Sequence, residues 1–134
     1  MMRFHHVGIA TKEITELKKS LKGMFNITKE SEIVFDAKQQ AMLCMLEIGN
    51  GLKLELIQGK AVEHLVAKGM TYYHLCFSVS DLESELKRLV CGTAILVREP
   101  KPAALFNGKK VAFLLTEMGL IELMEEKDED CAAE

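Results

Sequence analysis

The chain has 134 residues, 49% of them hydrophobic and 28% charged, and a formal net charge of -3. This is a globular composition, and a chain of this length buries about two-thirds of its unfolded surface without disulfide or metal staples. It lacks the overall basic charge that nucleic acid or an anionic membrane would call for, and no apolar run reaches the roughly 18 residues of a transmembrane helix.

The first residues, Met1-Met2-Arg3-Phe4-His5-His6, carry no long apolar stretch and no small-residue cleavage site, so no signal peptide is expected. Cys44, Cys76, Cys91 and Cys131 form no CxxC pair, which predicts reduced thiols and a cytoplasmic protein. Cys131-Ala132-Ala133-Glu134 has the outline of a prenylation motif, but the final glutamate and the lack of a polybasic stretch argue against it.

Residues 3–10 alternate and read as a strand. Thr11 is the expected N-cap of a helix with Ile14, Leu17, Leu21 and Met24 on its apolar stripe. Residues 27–35, 41–48 and 51–58 read as three strands, with Gly49-Asn50-Gly51 as a hairpin turn. Residues 61–68 fit a short connecting helix stopped by Gly69. The pattern then restarts with a strand over 72–79. Ser80 and Glu83 read as a capping box before a helix carrying Leu82, Leu86 and Leu89. Strands are expected over 93–98, 110–116 and 120–125. Pro100 and Pro102 are read as stiffening a loop that runs to Asn107-Gly108, and the acidic residues from Glu125 onward as a tail. Each half is therefore βαβββ. The expected organisation is one α+β domain over 1–126, with modules at about 3–58 and 72–125 and a tail over 127–134.

The repeat carries chemistry. His6-Val7-Gly8-Ile9 matches His74-Leu75-Cys76-Phe77, and Leu54-Glu55-Leu56-Ile57 matches Ile121-Glu122-Leu123-Met124. Each half thus offers one histidine early and one glutamate late. A lone histidine in a strand is usually a satisfied core or surface residue. Glu122, however, shares a strand face with Leu120 and Met124, and a carboxylate there is costly unless paired or bound to a metal. Two such glutamates and two such histidines in one repeated frame point to a metal site. A mixed N/O set suits one divalent ion such as Zn, Ni, Co, Mn or Fe(II), with positions left open for a substrate.

The chain resembles the vicinal oxygen chelate superfamily, the glyoxalase, bleomycin-resistance and dioxygenase proteins, from Phe4 to Glu126. His6-Val7-Gly8-Ile9-Ala10, Tyr73-His74-Leu75-Cys76-Phe77-Ser78-Val79, Glu99-Pro100-Lys101-Pro102 and Gly108-Lys109-Lys110-Val111-Ala112-Phe113-Leu114 are most similar to the methylmalonyl-CoA epimerases. The resemblance implies paired βαβββ modules whose mixed sheets curl around a metal. It also implies the ligands His6, Glu55, His74 and Glu122, a homodimer, and a small-molecule substrate of the acyl-CoA kind. His5 is expected to point away from the metal and Cys76 to lie near it without being a ligand. Glu122 is the implied proton-moving carboxylate, with Glu55 second.

The sequence also departs from the epimerases. The additional acidic base that they carry falls here at Lys38-Gln39, leaving Asp36 as the nearest acid. A glyoxalase I-type lyase fits the same four ligands. A metal-free drug-binding module of the same fold is a further alternative, against which the intact ligand set argues. Lys101, Lys109 and Lys110 could meet phosphates, although solvated surface lysines are the simpler reading.

Overall fold

The computed structural model describes residues 2–127. The rest of the expected acidic tail, with Cys131 and the prenylation-like ending, lies outside the described residues. The chain divides into two compact units, residues 6–73 and residues 2–5 with 74 onward.

In the first unit, strand β1 (Arg3–Ala10), which begins in the other unit, leads to helix α1 (Ile14–Met24). β2 (Ile27–Glu30), β3 (Val34–Asp36), β4 (Ala41–Ile48) and β5 (Leu52–Gly59) follow, and then a 3-10 turn and helix α2 (Glu63–Ala67). The strand order is β2-β4-β5-β1, with β3 also on β4. β5 pairs antiparallel with β4 but parallel with β1.

The second unit repeats the scheme with β6 (Tyr72–Val79), α3 (Leu82–Val90), β7 (Ile95–Pro102), β8 (Lys110–Thr116) and β9 (Gly119–Glu125). Its order is β6-β9-β8-β7, and β9 pairs parallel with β6. The layout is α+β, as expected, and both sheets are mixed. β2 and β3 are edge strands of the first unit and β7 of the second.

Each unit has its own core between helix and sheet. Ile14 and Leu21 of α1 pack on Leu46, Ile48, Leu54 and Leu56, with Val7 and Ile9 beside them. Leu82 and Leu86 of α3 pack on Ala112, Leu114, Ile121 and Leu123, with Leu75 and Phe77 beside them. These residues alternate along their strands, so His6, Glu55, His74 and Glu122 all lie on the sheet faces turned away from the helices.

Five local expectations are corrected. Thr11 is not the N-cap: its Oγ1 accepts from Glu13 N at 3.2 Å, and α1 starts at Ile14, whose N–H donates to Gln58 Oε1 at 2.8 Å. The box at Ser80 and Glu83 shifts by one, because Asp81 caps α3 by accepting from Ser84 N at 3.1 Å. Leu82 N–H donates to Glu125 Oε2 at 3.1 Å. In each module, then, the first helical amide is capped by a side chain near the end of the last strand, which satisfies a donor that the helix leaves open.

The single strand expected over 27–35 is broken into β2 and β3. Four steps along this edge, Glu30 to Val34, oppose three on β4, Leu46 to Leu43, so one residue is extra. Ser31 bridges the break, its Oγ accepting from Met45 N at 2.8 Å. The prolines do not stiffen a loop. β7 runs through Pro100 and Pro102, with Lys101 opposite Val111 and Pro102 opposite Lys110. An edge strand tolerates a residue that cannot donate.

Of the residues read as tail, Glu125 ends β9, and Glu126 is buried and paired with Lys109 at 3.2 Å. No helix among the described residues is long and apolar enough to cross a membrane.

Two glycines give opposite predictions. Gly59 has φ +127°, and a Cβ there would stand 2.9 Å from Gln40 O. Gly59→Ala is expected to lower stability by about 1–3 kcal/mol in urea titration. Gly23 lies inside α1 with nothing within 4 Å of a Cβ. Gly23→Ala is expected to raise stability by about 0.5–1 kcal/mol.

Candidate metal centre

The parallel pairing of first and last strands sets the site in each unit. In the first, Gly8 of β1 lies opposite Glu55 of β5. This brings His6 Nε2 to 3.3 Å from Glu55 Oε1. In the second, Cys76 of β6 lies opposite Glu122 of β9, and His74 Nε2 is 3.1 Å from Glu122 Oε1. The register is the same in both: the residue two after the histidine faces the glutamate. None of the four is more than 5% exposed.

Such burial is expensive for carboxylates, and each is met by an imidazole nitrogen. The donor chemistry of each pair fits a borderline divalent ion, which takes imidazole nitrogen and carboxylate oxygen together.

His5, on the other face of β1, meets Phe106 edge-on, with ring centroids 5.5 Å apart. Cys76 shares the face of His74 and packs with Ala103, Val111 and Met124. Lys109, considered as a phosphate contact, is engaged with Glu126.

Asp36 is not poised as a base. It is buried, its Oδ1 accepts from Lys38 N at 3.0 Å and Gln39 N at 3.3 Å, and its Oδ2 accepts from Gln39 Nε2 at 3.0 Å. It organises the turn between β3 and β4.

Two residues at the second pair were not singled out for the site in the sequence. Phe113 sets its ring edge-on to His74, with centroids 5.3 Å apart and planes at 89°. Arg98 stacks on Phe113, its Cζ 5.6 Å from the ring centroid. Phe113 could have been found from the alternation of β8, which puts it on the face of Val111. Arg98 could not, because the β7 register shifts on both sides of it. A cavity of about 570 Å³ opens in the first unit, where Thr11, Lys12, Gln58 and Gly59 meet α2. None of the four histidines and glutamates lines it.

The duplicated βαβββ units and their His/Glu pairs define a class, and the comparisons agree. Residues 5–113 match the Glyoxalase/Bleomycin resistance protein/Dioxygenase superfamily, and the chain belongs to it. The fold is similar to that of methylmalonyl-CoA epimerase from Mycobacterium tuberculosis (TM-score 0.78, 20% identity, 97% of this chain and 91% of that one). It is also similar to a Streptomyces coelicolor methylmalonyl-CoA epimerase in complex with 2-nitronate-propionyl-CoA (TM-score 0.73, 19% identity, 96% of each chain). A hypothetical protein from Bacillus halodurans C-125 is similar as well (TM-score 0.73, 23% identity, 95% of this chain and 96% of that one). No curated protein matches the chain.

Asp36→Ala strands two backbone amides. It is expected to cost about 1–3 kcal/mol in thermal or urea unfolding and to leave metal affinity unchanged. A change in Co(II) affinity would return Asp36 to the site.

Proposed function

We propose that His6, Glu55, His74 and Glu122 together hold one divalent metal ion, and that the protein is an enzyme moving a proton on a carbon next to the carbonyl of a small acyl substrate. The activity this reading favours is like that of a methylmalonyl-CoA epimerase. The observation that carries this reading is the duplicated register, which gives both units the same buried imidazole–carboxylate pair. The epimerases among the structural neighbours support the substrate class.

A divalent ion in this setting supplies Lewis acidity, drawing electron density from the substrate carbonyl and making the neighbouring C–H more acidic. The chain's own residues do the rest. The Glu122 carboxylate takes the proton from the substrate carbon, with Glu55 as the second candidate for that role. The protonated carboxyl exchanges with solvent and then gives a proton back to the carbon, which regenerates the carboxylate and, when delivery is to the other face, inverts the centre. Burial keeps water from competing for the carbanion. Phe113 limits the tilt of the His74 ring.

The turn at Asp36 gives a reason to keep a second activity in view. Its carboxylate is occupied by three donors, and Lys38 and Gln39 offer no acid. A glyoxalase I-type lyase fits the same four ligands, and the lack of an acid at Lys38-Gln39 does not count against it.

Methylmalonyl-CoA incubated in D2O with Co(II)-loaded protein is expected to exchange its C2 proton. Glu122→Gln is expected to slow that exchange by at least about 100-fold. Exchange that survives both metal stripping and Glu122→Gln would contradict the assignment. Absence of exchange on methylmalonyl-CoA, with turnover of a glutathione thiohemiacetal, would select the lyase.

A further inference from the structure

We propose that Arg98 is the specificity-determining residue of this site and binds an oxyanion of the substrate, either the acyl carboxylate or a phosphate of its carrier. The inference rests on the proton-transfer reading above and deepens it by naming what kind of substrate is accepted.

Strand β7 is largely exposed, with Ile95, Leu96 and Val97 all open to solvent, whereas Arg98 is partly buried. The β7–β8 register shifts between Leu96 and Arg98 and again between Arg98 and Lys101. Irregularities of this kind re-aim a side chain, and they gather next to active sites. The register runs from Arg98 to Phe113 and from Phe113 to Glu122, so the three lie in one row across three neighbouring strands. Arg98 lies over the Phe113 ring, and Phe113 meets His74 edge-on. A cation is thereby held one aromatic ring away from the His74–Glu122 pair.

Arg98 Nη1 is sealed from solvent and has no acceptor among the described residues. The position over Phe113 places the cation but leaves the Nη1 donors unmet. An unmet charged donor is costly. A planar fork of donors matches a carboxylate or phosphate, which accepts two parallel hydrogen bonds.

The test uses Co(II)-loaded protein and three probes in calorimetry. Propionyl-CoA carries phosphates without the carboxylate, methylmalonyl-pantetheine carries the carboxylate without phosphates, and methylmalonyl-CoA carries both. Arg98→Met is expected to weaken the probes bearing the recognised oxyanion by about ten- to hundredfold, while leaving the Co(II) absorption spectrum as in the wild type. Arg98→Lys is expected to recover part of the loss. A loss confined to the two methylmalonyl probes assigns the carboxylate, and a loss confined to the two CoA probes assigns the phosphate.

Wild-type affinity of Arg98→Met for all three probes overturns the proposal. So does an equal loss for all three accompanied by a lowered melting temperature, which is the mark of a purely structural residue. Failure of the wild type to bind Co(II) removes the metal reading and this proposal with it, and the spectrum shows that case separately.

Discussion

The parallel pairing of the first and last strand within each module is the constraint on which the rest depends. The helix and the antiparallel strands between them bring the chain back beside its starting strand. A histidine near the start and a glutamate near the end, some fifty residues apart in sequence, then become neighbours on one face. The other face is apolar and packs on the helix. The division of labour follows from the two-residue period of a strand: Leu54 and Leu56 serve the core, and Glu55 between them serves the site. The same holds for Ile121, Glu122 and Leu123.

Burying two carboxylates works against stability, since well-packed apolar side chains would serve the fold as well or better. A local rule broken in the same way in both modules is where function is expected. The imidazole beside each carboxylate reduces the cost, and a divalent ion would offset more of it by adding positive charge beside the carboxylate. The caps repeat the logic. Gln58 and Glu125 each lie three residues after the site glutamate and each hold the first amide of the module's helix. One strand therefore positions both the site carboxylate and the helix that packs on its far side.

Much of this was legible in the sequence, because hydrophobic period and turn chemistry are local. The edges of most elements, the histidines and glutamates of both pairs, and the helical stripes could be read directly, except that Met24, read on the first stripe, is exposed. Misreadings came where a distant partner decided the outcome. Thr11 and Ser80 look like caps, but the donors they would satisfy are met by Gln58 and by Asp81 with Glu125. The break after Glu30 depends on Ser31 taking a ladder bond from Met45. Pro100 and Pro102 read as loop until β7 is known to be an edge strand. Asp36 is the nearest acid by position, yet its turn engages both of its oxygens. Arg98 escaped notice because no periodic pattern survives the register shifts around it.

The central claim is that the two pairs act as one centre. X-ray absorption on the Co(II)- or Zn(II)-loaded protein, with metal counted per chain, tests it most directly. One ion per chain with two imidazole ligands is expected, falling to one imidazole in either His6→Ala or His74→Ala. Two ions per chain, or one ion whose imidazole count does not change in one of those variants, would contradict it.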